Sequence, residues 1–168
     1  MVSTGDILLM RRAIAIAMAN LGSTWPNPSV GCVIAKDGEI LAEAATAPGG
    51  RPHAEEQALA ALSGRAIGST AYVTLEPCGA RSSGHSSCAE RLASSGIVRV
   101  VIACEDPSPF ASGQGLERLR QADMAFETGL LADEARVLCA GFVHRLATGK
   151  PLVEACDHGD HFDALFEP

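Results

Sequence analysis

Three good zinc ligands stand in this chain at spacings that constrain how it can fold. His53-Ala54-Glu55 opens an apolar stripe of helical period, Pro77-Cys78 follows an apolar run of strand character, and Cys88 comes after nine intervening residues. Each residue alone has a bland explanation, because cysteines are often simply buried and a histidine near a helix start is often a cap or a surface residue. Taken together they require a helix N-terminus, a strand end and the start of a second helix to meet at one point. Layered α/β domains bring elements together in this way, beside the carboxyl ends of their strands.

The remaining pattern agrees with such a domain. Ile7, Leu8, Met10, Ile14, Ala17, Met18 and Leu21 recur at helical spacing, and Gly22 stops them. Trp25-Pro26-Asn27-Pro28 cannot continue a helix and reads as a rigid loop. Val30 to Ala35 and Ile40 to Ala44, joined by Lys36-Asp37-Gly38-Glu39, read as a hairpin. A helix from His53 to about Gly64, a strand Thr70 to Leu75, a helix Cys88 to Ser95 and a strand Arg99 to Ala103 follow. Leu116 to Gln121 reads as helix, Met124 to Thr128 as strand and Leu130 to Leu146 as a last helix. The fold class is therefore α/β, with a mixed sheet that is antiparallel in its leading hairpin and mostly parallel beyond it.

At 168 residues the chain suits one domain, placed at residues 1–153, with residues 154–168 read as an irregular acidic tail. The net charge of -7 repels polyanions, and one Trp and one Tyr provide little for stacking bases, so long nucleic acid is a poor partner. No apolar run spans a bilayer, and the opening stretch lacks the layout of a secretory signal, which makes a cytoplasmic location the expectation. Of the six cysteines, Cys78 and Cys88 read as ligands; Cys32, Cys104, Cys139 and Cys156 lack histidine partners at ligand spacing and read as packing residues.

Three protein ligands leave one position on zinc open, and an open position means chemistry rather than structure alone. Zinc lowers the pKa of a bound water to about 7, so hydroxide becomes available to attack an amidine-like carbon. Glu55 lies two residues past His53, near enough to reach the site without binding metal, which suits it to carry protons. If zinc were purely structural, His85 is the obvious fourth ligand.

These residues, with Pro26-Asn27-Pro28-Ser29-Val30-Gly31-Cys32-Val33-Ile34, Pro52-His53-Ala54-Glu55, Ala71 to Cys78, Asp106-Pro107-Ser108-Pro109 and Gly141-Phe142, resemble the deaminase domain of the bifunctional riboflavin-biosynthesis deaminase-reductase. The likeness runs from about Asp6 to Val153. It implies a cytidine deaminase-like three-layer α/β/α sandwich holding one catalytic Zn2+ per chain on His53, Cys78 and Cys88, with Glu55 as proton shuttle. It further implies that Asn27 hydrogen-bonds the pyrimidine ring, puts Asp106 among the substrate-binding residues, and makes a homodimer or larger assembly the expectation. The implied substrate is a diamino-hydroxy-phosphoribosylamino-pyrimidine.

Two segments depart from the family pattern. Glu43-Ala44-Ala45-Thr46 stands where the family has a Gly-aromatic-His element, and the loop Gly79 to Ser87 is one residue longer than its counterpart and different in sequence. Arg81 and His85 on that loop are either phosphate contacts or solvated. Because the chain ends at Pro168, the expectation is a deaminase without a reductase. The alternatives are deamination of another free nucleobase, nucleoside or nucleotide, and a non-catalytic zinc-binding scaffold.

Overall fold

The computed structural model describes residues 2–80, 85–108, 112–157 and 162–167. Its first helix, α1 (Thr4–Met18), starts at a capping box in which Ser3 and Asp6 satisfy each other's backbone N–H groups. β1 (Gly31–Lys36) and β2 (Glu39–Ala45) form the expected hairpin. Asp37 (φ 51°) and Gly38 (φ 84°) both take positive φ at its tip, as a tight Asp-Gly hairpin turn requires. α2 (Ala54–Leu62), β3 (Thr70–Leu75), α3 (Cys88–Ser94), β4 (Arg99–Cys104), α4 (Gln114–Gln121) and β5 (Ala125–Thr128) follow.

The five strands form one sheet in the order β2-β1-β3-β4-β5. β1 runs antiparallel to β2 and β3, whereas β3, β4 and β5 run parallel. The alternation of side chains along each strand divides the core into two layers. On one face Ile34, Val73, Val100 and Ile102 pack against Ala58, Leu62, Leu92 and Leu119 of α2, α3 and α4. On the other, Val33, Tyr72 and Val101 pack against Met10, Ala13 and Ala17 of α1 and against Leu138. This is the expected three-layer sandwich with a mixed sheet. Each fully buried leucine or isoleucine contributes roughly 1.5–3 kcal/mol to it.

Two expectations are corrected. The stretch Leu130 to Leu146 is not one helix: α5 (Ala132–Ala135) begins after Leu131 in a left-handed conformation, tightens into a 3-10 turn at Arg136–Cys139, and only then continues as α6 (Ala140–Thr148). The tighter turn buries the adjacent Leu138 and Cys139 under the sheet. The segment read as an irregular tail contains β6 (Leu152–Asp157) and β7 (Phe162–Glu167), paired antiparallel in a separate two-stranded sheet. β6 crosses the domain limit placed at 153, because pairing satisfies backbone groups that an irregular segment would leave to water.

A polar network ties the layers together. Asp6, 4% exposed, accepts hydrogen bonds from Tyr72 Oη at 2.7 Å and from Arg99 at 2.8 Å, and Arg99 also pairs with Glu127 at 2.7 Å. Burial opposes the ionisation of Asp6, but the Arg99 guanidinium, the Ser3 N–H and the Tyr72 hydroxyl outweigh it and hold the carboxyl well below the usual range. Asp6→Ala removes one of the two carboxylates on Arg99 and the acceptor of the buried Tyr72 hydroxyl, and is expected to cost about 1–3 kcal/mol at pH 7, measured by urea unfolding. A depressed folded pKa means that this contribution is complete above the unfolded value. The gap between the two proteins therefore stays constant from pH 8 to 5 and narrows as pH falls below about 4.

Candidate metal centre and pocket

His53 is the residue on which α2 starts, in extended conformation, and its N–H donates to Glu56 Oε2 at 3.0 Å. Cys88 is the first residue of α3, whose N-cap Ser87 forms a capping box with Glu90. Cys78 lies between the end of β3 and that helix; its carbonyl accepts from Ala89 N–H and its Sγ from Cys88 N–H at 3.3 Å. Three helix and strand termini thus meet at the point that the spacing required.

His53 Nδ1 lies 3.4 Å from Cys88 Sγ and 3.8 Å from Cys78 Sγ, and all three donor atoms fall within 4.8 Å of one another. Zinc bonded to sulfur at about 2.3 Å and to nitrogen at about 2.0 Å in a tetrahedron separates its ligands by roughly 3.5–3.8 Å. The donor set and its spacing therefore fit zinc. Hydrogen bonding from Cys88, from His53 and from the Cys88 N–H holds the Cys78 thiol far below its usual pKa against the cost of burial, so it is ready to ligate as thiolate. The other ring nitrogen, His53 Nε2, is buried without a protein partner among the described residues.

Glu55 sits on the first turn of α2 and is 3% exposed. Burial pushes its carboxyl up, while the nearby His53 pulls it down. It lines a cavity of about 190 Å³ together with His53, Cys78, Asn27, Arg51 and Asp106. Asn27 donates its amide to Gly50 O at 2.7 Å, which leaves its Oδ1 for a donor in the cavity. Asp106 accepts from Ser108 N–H at 2.7 Å, and burial, with Glu76 and Cys78 close by, raises its pKa. His85 is exposed, lies outside the three-residue cluster and does not line this cavity. Arg81 lies outside the described residues.

Two residues of this site are given no role by the sequence reading. Arg51 is one. Glu76, 4% exposed, is the other: it accepts from the N–H groups of Asp106 at 3.2 Å, Gly113 at 3.1 Å, Gly115 at 2.9 Å and Leu116 at 3.2 Å. A carboxylate directly after β3 thereby caps α4 and positions the loop that carries Asp106. A Cβ on Gly115 would sit 1.8 Å from Pro77 O, so α4 starts pressed against the Glu76-Pro77-Cys78 turn. Glu76→Gln points an NH2 group at backbone donors and is expected to cost about 2–3 kcal/mol in urea unfolding, with a parallel fall in kcat/KM as Asp106 loses its support.

Comparison with known proteins decides the family. The family described as the cytidine and deoxycytidylate deaminase zinc-binding region matches residues 4–104. The chain belongs to this family. As a deaminase-family zinc-binding domain it is 44% identical over 152 residues to the riboflavin biosynthesis protein RibD of Escherichia coli, covering 89% of this chain and 40% of that protein. It is 42% identical over 146 residues to the diaminohydroxyphosphoribosylamino-pyrimidine deaminase of Buchnera aphidicola, covering 87% of this chain and 99% of that one. Among solved structures, Acinetobacter baumannii RibD superposes with TM-score 0.80 at 42% identity, over 88% of this chain and 41% of the other. The Thermotoga maritima deaminase/reductase superposes with TM-score 0.81 at 36% identity, over 88% and 43%. The chain thus spans about two fifths of the E. coli relative, and the resemblance seen in the sequence to that family's deaminase domain is borne out. No helix among the described residues is long and apolar enough to cross a membrane.

Proposed function

We propose that this chain hydrolyses a ring amino group of a phosphoribosylated diamino-hydroxy-pyrimidine and releases ammonia. The observation that carries this reading is the cluster of His53, Cys78 and Cys88 with buried Glu55 beside it in one cavity. The name of the B. aphidicola relative, matched over nearly its whole length, supports the substrate.

His53, Cys78 and Cys88 would hold the metal, and zinc bound there would supply Lewis acidity that activates water at neutral pH. Glu55 takes the proton of the attacking water, delivers a proton to the ring nitrogen next to the reacting carbon, and protonates the departing amine. Water and the C–NH2 group are consumed and a ring carbonyl and ammonia are produced, so one carboxylate ends as it began. Asn27, its amide group held by Gly50 O, presents Oδ1 to a ring donor. Asp106 lines the same cavity, its N–H held by Glu76, and serves as a further polar contact for the ring. Burial excludes bulk water from Glu55, which keeps its proton exchange local. A homo-oligomer and a cytoplasmic setting belong to the same reading.

A substrate panel tests it. Relative kcat/KM values for the phosphoribosylated diamino-pyrimidine, deoxycytidylate, cytidine and cytosine are expected to rank the first compound highest. Turnover of a cytosine compound alone would retain the reaction type and remove the substrate.

A further inference from the structure

The cavity is lined by three carboxylates, Glu55, Glu76 and Asp106, and among the described residues Arg51 is the one lysine or arginine on its wall. Among the described residues of this wall, the carboxylates would repel a phosphate monoester, and Arg51 is the one arginine or lysine able to attract it. Every other described arginine is held by the protein: Arg99 by Asp6, Arg118 by Glu90 and Arg145 by the Pro26 carbonyl and the Trp25 ring are examples. Arg51 alone among them has no hydrogen bond, ion pair or ring contact, and it is exposed.

Its backbone, in contrast, is anchored on both sides. The Gly50 carbonyl accepts from Asn27, and the Pro52 carbonyl accepts from Ala47 N–H and from the Gln57 amide at 3.1 Å. The root of the side chain is thus fixed two residues before His53 and beside Asn27, while the guanidinium is left for a ligand. The nearby segment that lacks the family's histidine cannot serve instead. Its Thr46 is 1% exposed, accepts from Val30 N–H at 3.0 Å through its hydroxyl, and receives the Asn20 amide on its carbonyl. A cavity of about 190 Å³, smaller than those typical of drug-sized ligands, takes one heterocycle and leaves its attached groups at the mouth. Arg51 both lines this cavity and is exposed to solvent.

We propose that Arg51 is the anion-recognition residue of this pocket, binding the phosphate monoester of the substrate and setting the preference for a phosphorylated over an unphosphorylated compound. The planar guanidinium pairs two N–H donors with two phosphate oxygens, a geometry that lysine does not reproduce. The inference rests on the substrate reading above for the identity of the ligand, and on the unpartnered cation for its chemistry.

The test uses the zinc-loaded chain and its Arg51→Ala and Arg51→Lys variants in two arms. In the first, ribose 5-phosphate is titrated by calorimetry. Arg51→Ala is expected to raise its Kd by about 10- to 100-fold, as loss of a charge-assisted pair implies, and Arg51→Lys to recover part of the loss. In the second, kcat and KM are measured on the phosphoribosylated pyrimidine and on its dephosphorylated riboside. The preference for the phosphorylated compound is expected to fall by a similar factor, with the loss on KM rather than kcat. Equal Kd values for ribose 5-phosphate in wild type and Arg51→Ala would overturn the proposal, as would an unchanged preference. If wild type leaves the phosphoribosylated pyrimidine untouched, the substrate reading fails and the ribose 5-phosphate arm still decides on Arg51.

Discussion

Glu55→Gln is expected to lower ammonia release by about 10⁴-fold, the upper end of what a positioned acid–base group supplies, while zinc content stays at one per chain. The large effect follows from the proposal above that one side chain makes all three proton transfers. The next residue on α2, Glu56, is committed to the His53 N–H and cannot substitute for it. Glutamine keeps the size of the buried side chain and removes the charge, so the fold is retained. Burial already disfavours the carboxylate here, and the neutral amide carries no such penalty, so thermal stability is expected to hold or rise. Inactivity together with retained zinc and stability separates proton transfer from metal binding. Residual turnover within tenfold of wild type would mean that another group moves the protons.

Cys88→Ala is expected to lose zinc, reduce ammonia release to background and lower stability. Cys88 is fully buried, is the first residue of α3, and lies 3.4 Å from His53 Nδ1. Without it two ligands remain, too few to hold zinc in a site that must also keep a position open. A metal that binds only the folded chain stabilises it by about 4 kcal/mol when present a thousandfold above its Kd, and this contribution goes with the metal. Chelation of the wild-type protein should reproduce the loss of activity and of melting temperature, and added zinc should restore both. Cys139→Ala provides the contrast: Cys139 is also buried but packs under the opposite face of the sheet, so its variant should keep zinc. Zinc measured by atomic absorption, with melting curves read by circular dichroism, checks both proteins.

What the sequence made legible was local. The strand Thr70–Leu75 stands as read, because its apolar run is bounded by turn residues, and the metal ligands are placed by spacing against such boundaries. The Asp37-Gly38 turn carries its own conformational signature. What escaped depended on distant or missing partners. Glu76 is recognised only through backbone N–H groups at positions 106 to 116, and backbone donors carry no residue code. Arg51 stands out only because every other described arginine is occupied. The break at Arg136–Cys139 answers the demand to bury two adjacent residues, which helical periodicity cannot express. His85 has the right chemistry for a ligand but is exposed away from the cluster, which composition alone does not reveal.

The most direct test of zinc-dependent hydrolysis at this site is turnover of the phosphoribosylated diamino-pyrimidine in ¹⁸O-labelled water, with product mass, ammonia and bound zinc measured on the same samples. The account predicts one ammonia released and one ¹⁸O gained per product, at a rate that rises in proportion to zinc up to one per chain. Unlabelled product, or equal turnover by the zinc-stripped chain, would contradict it.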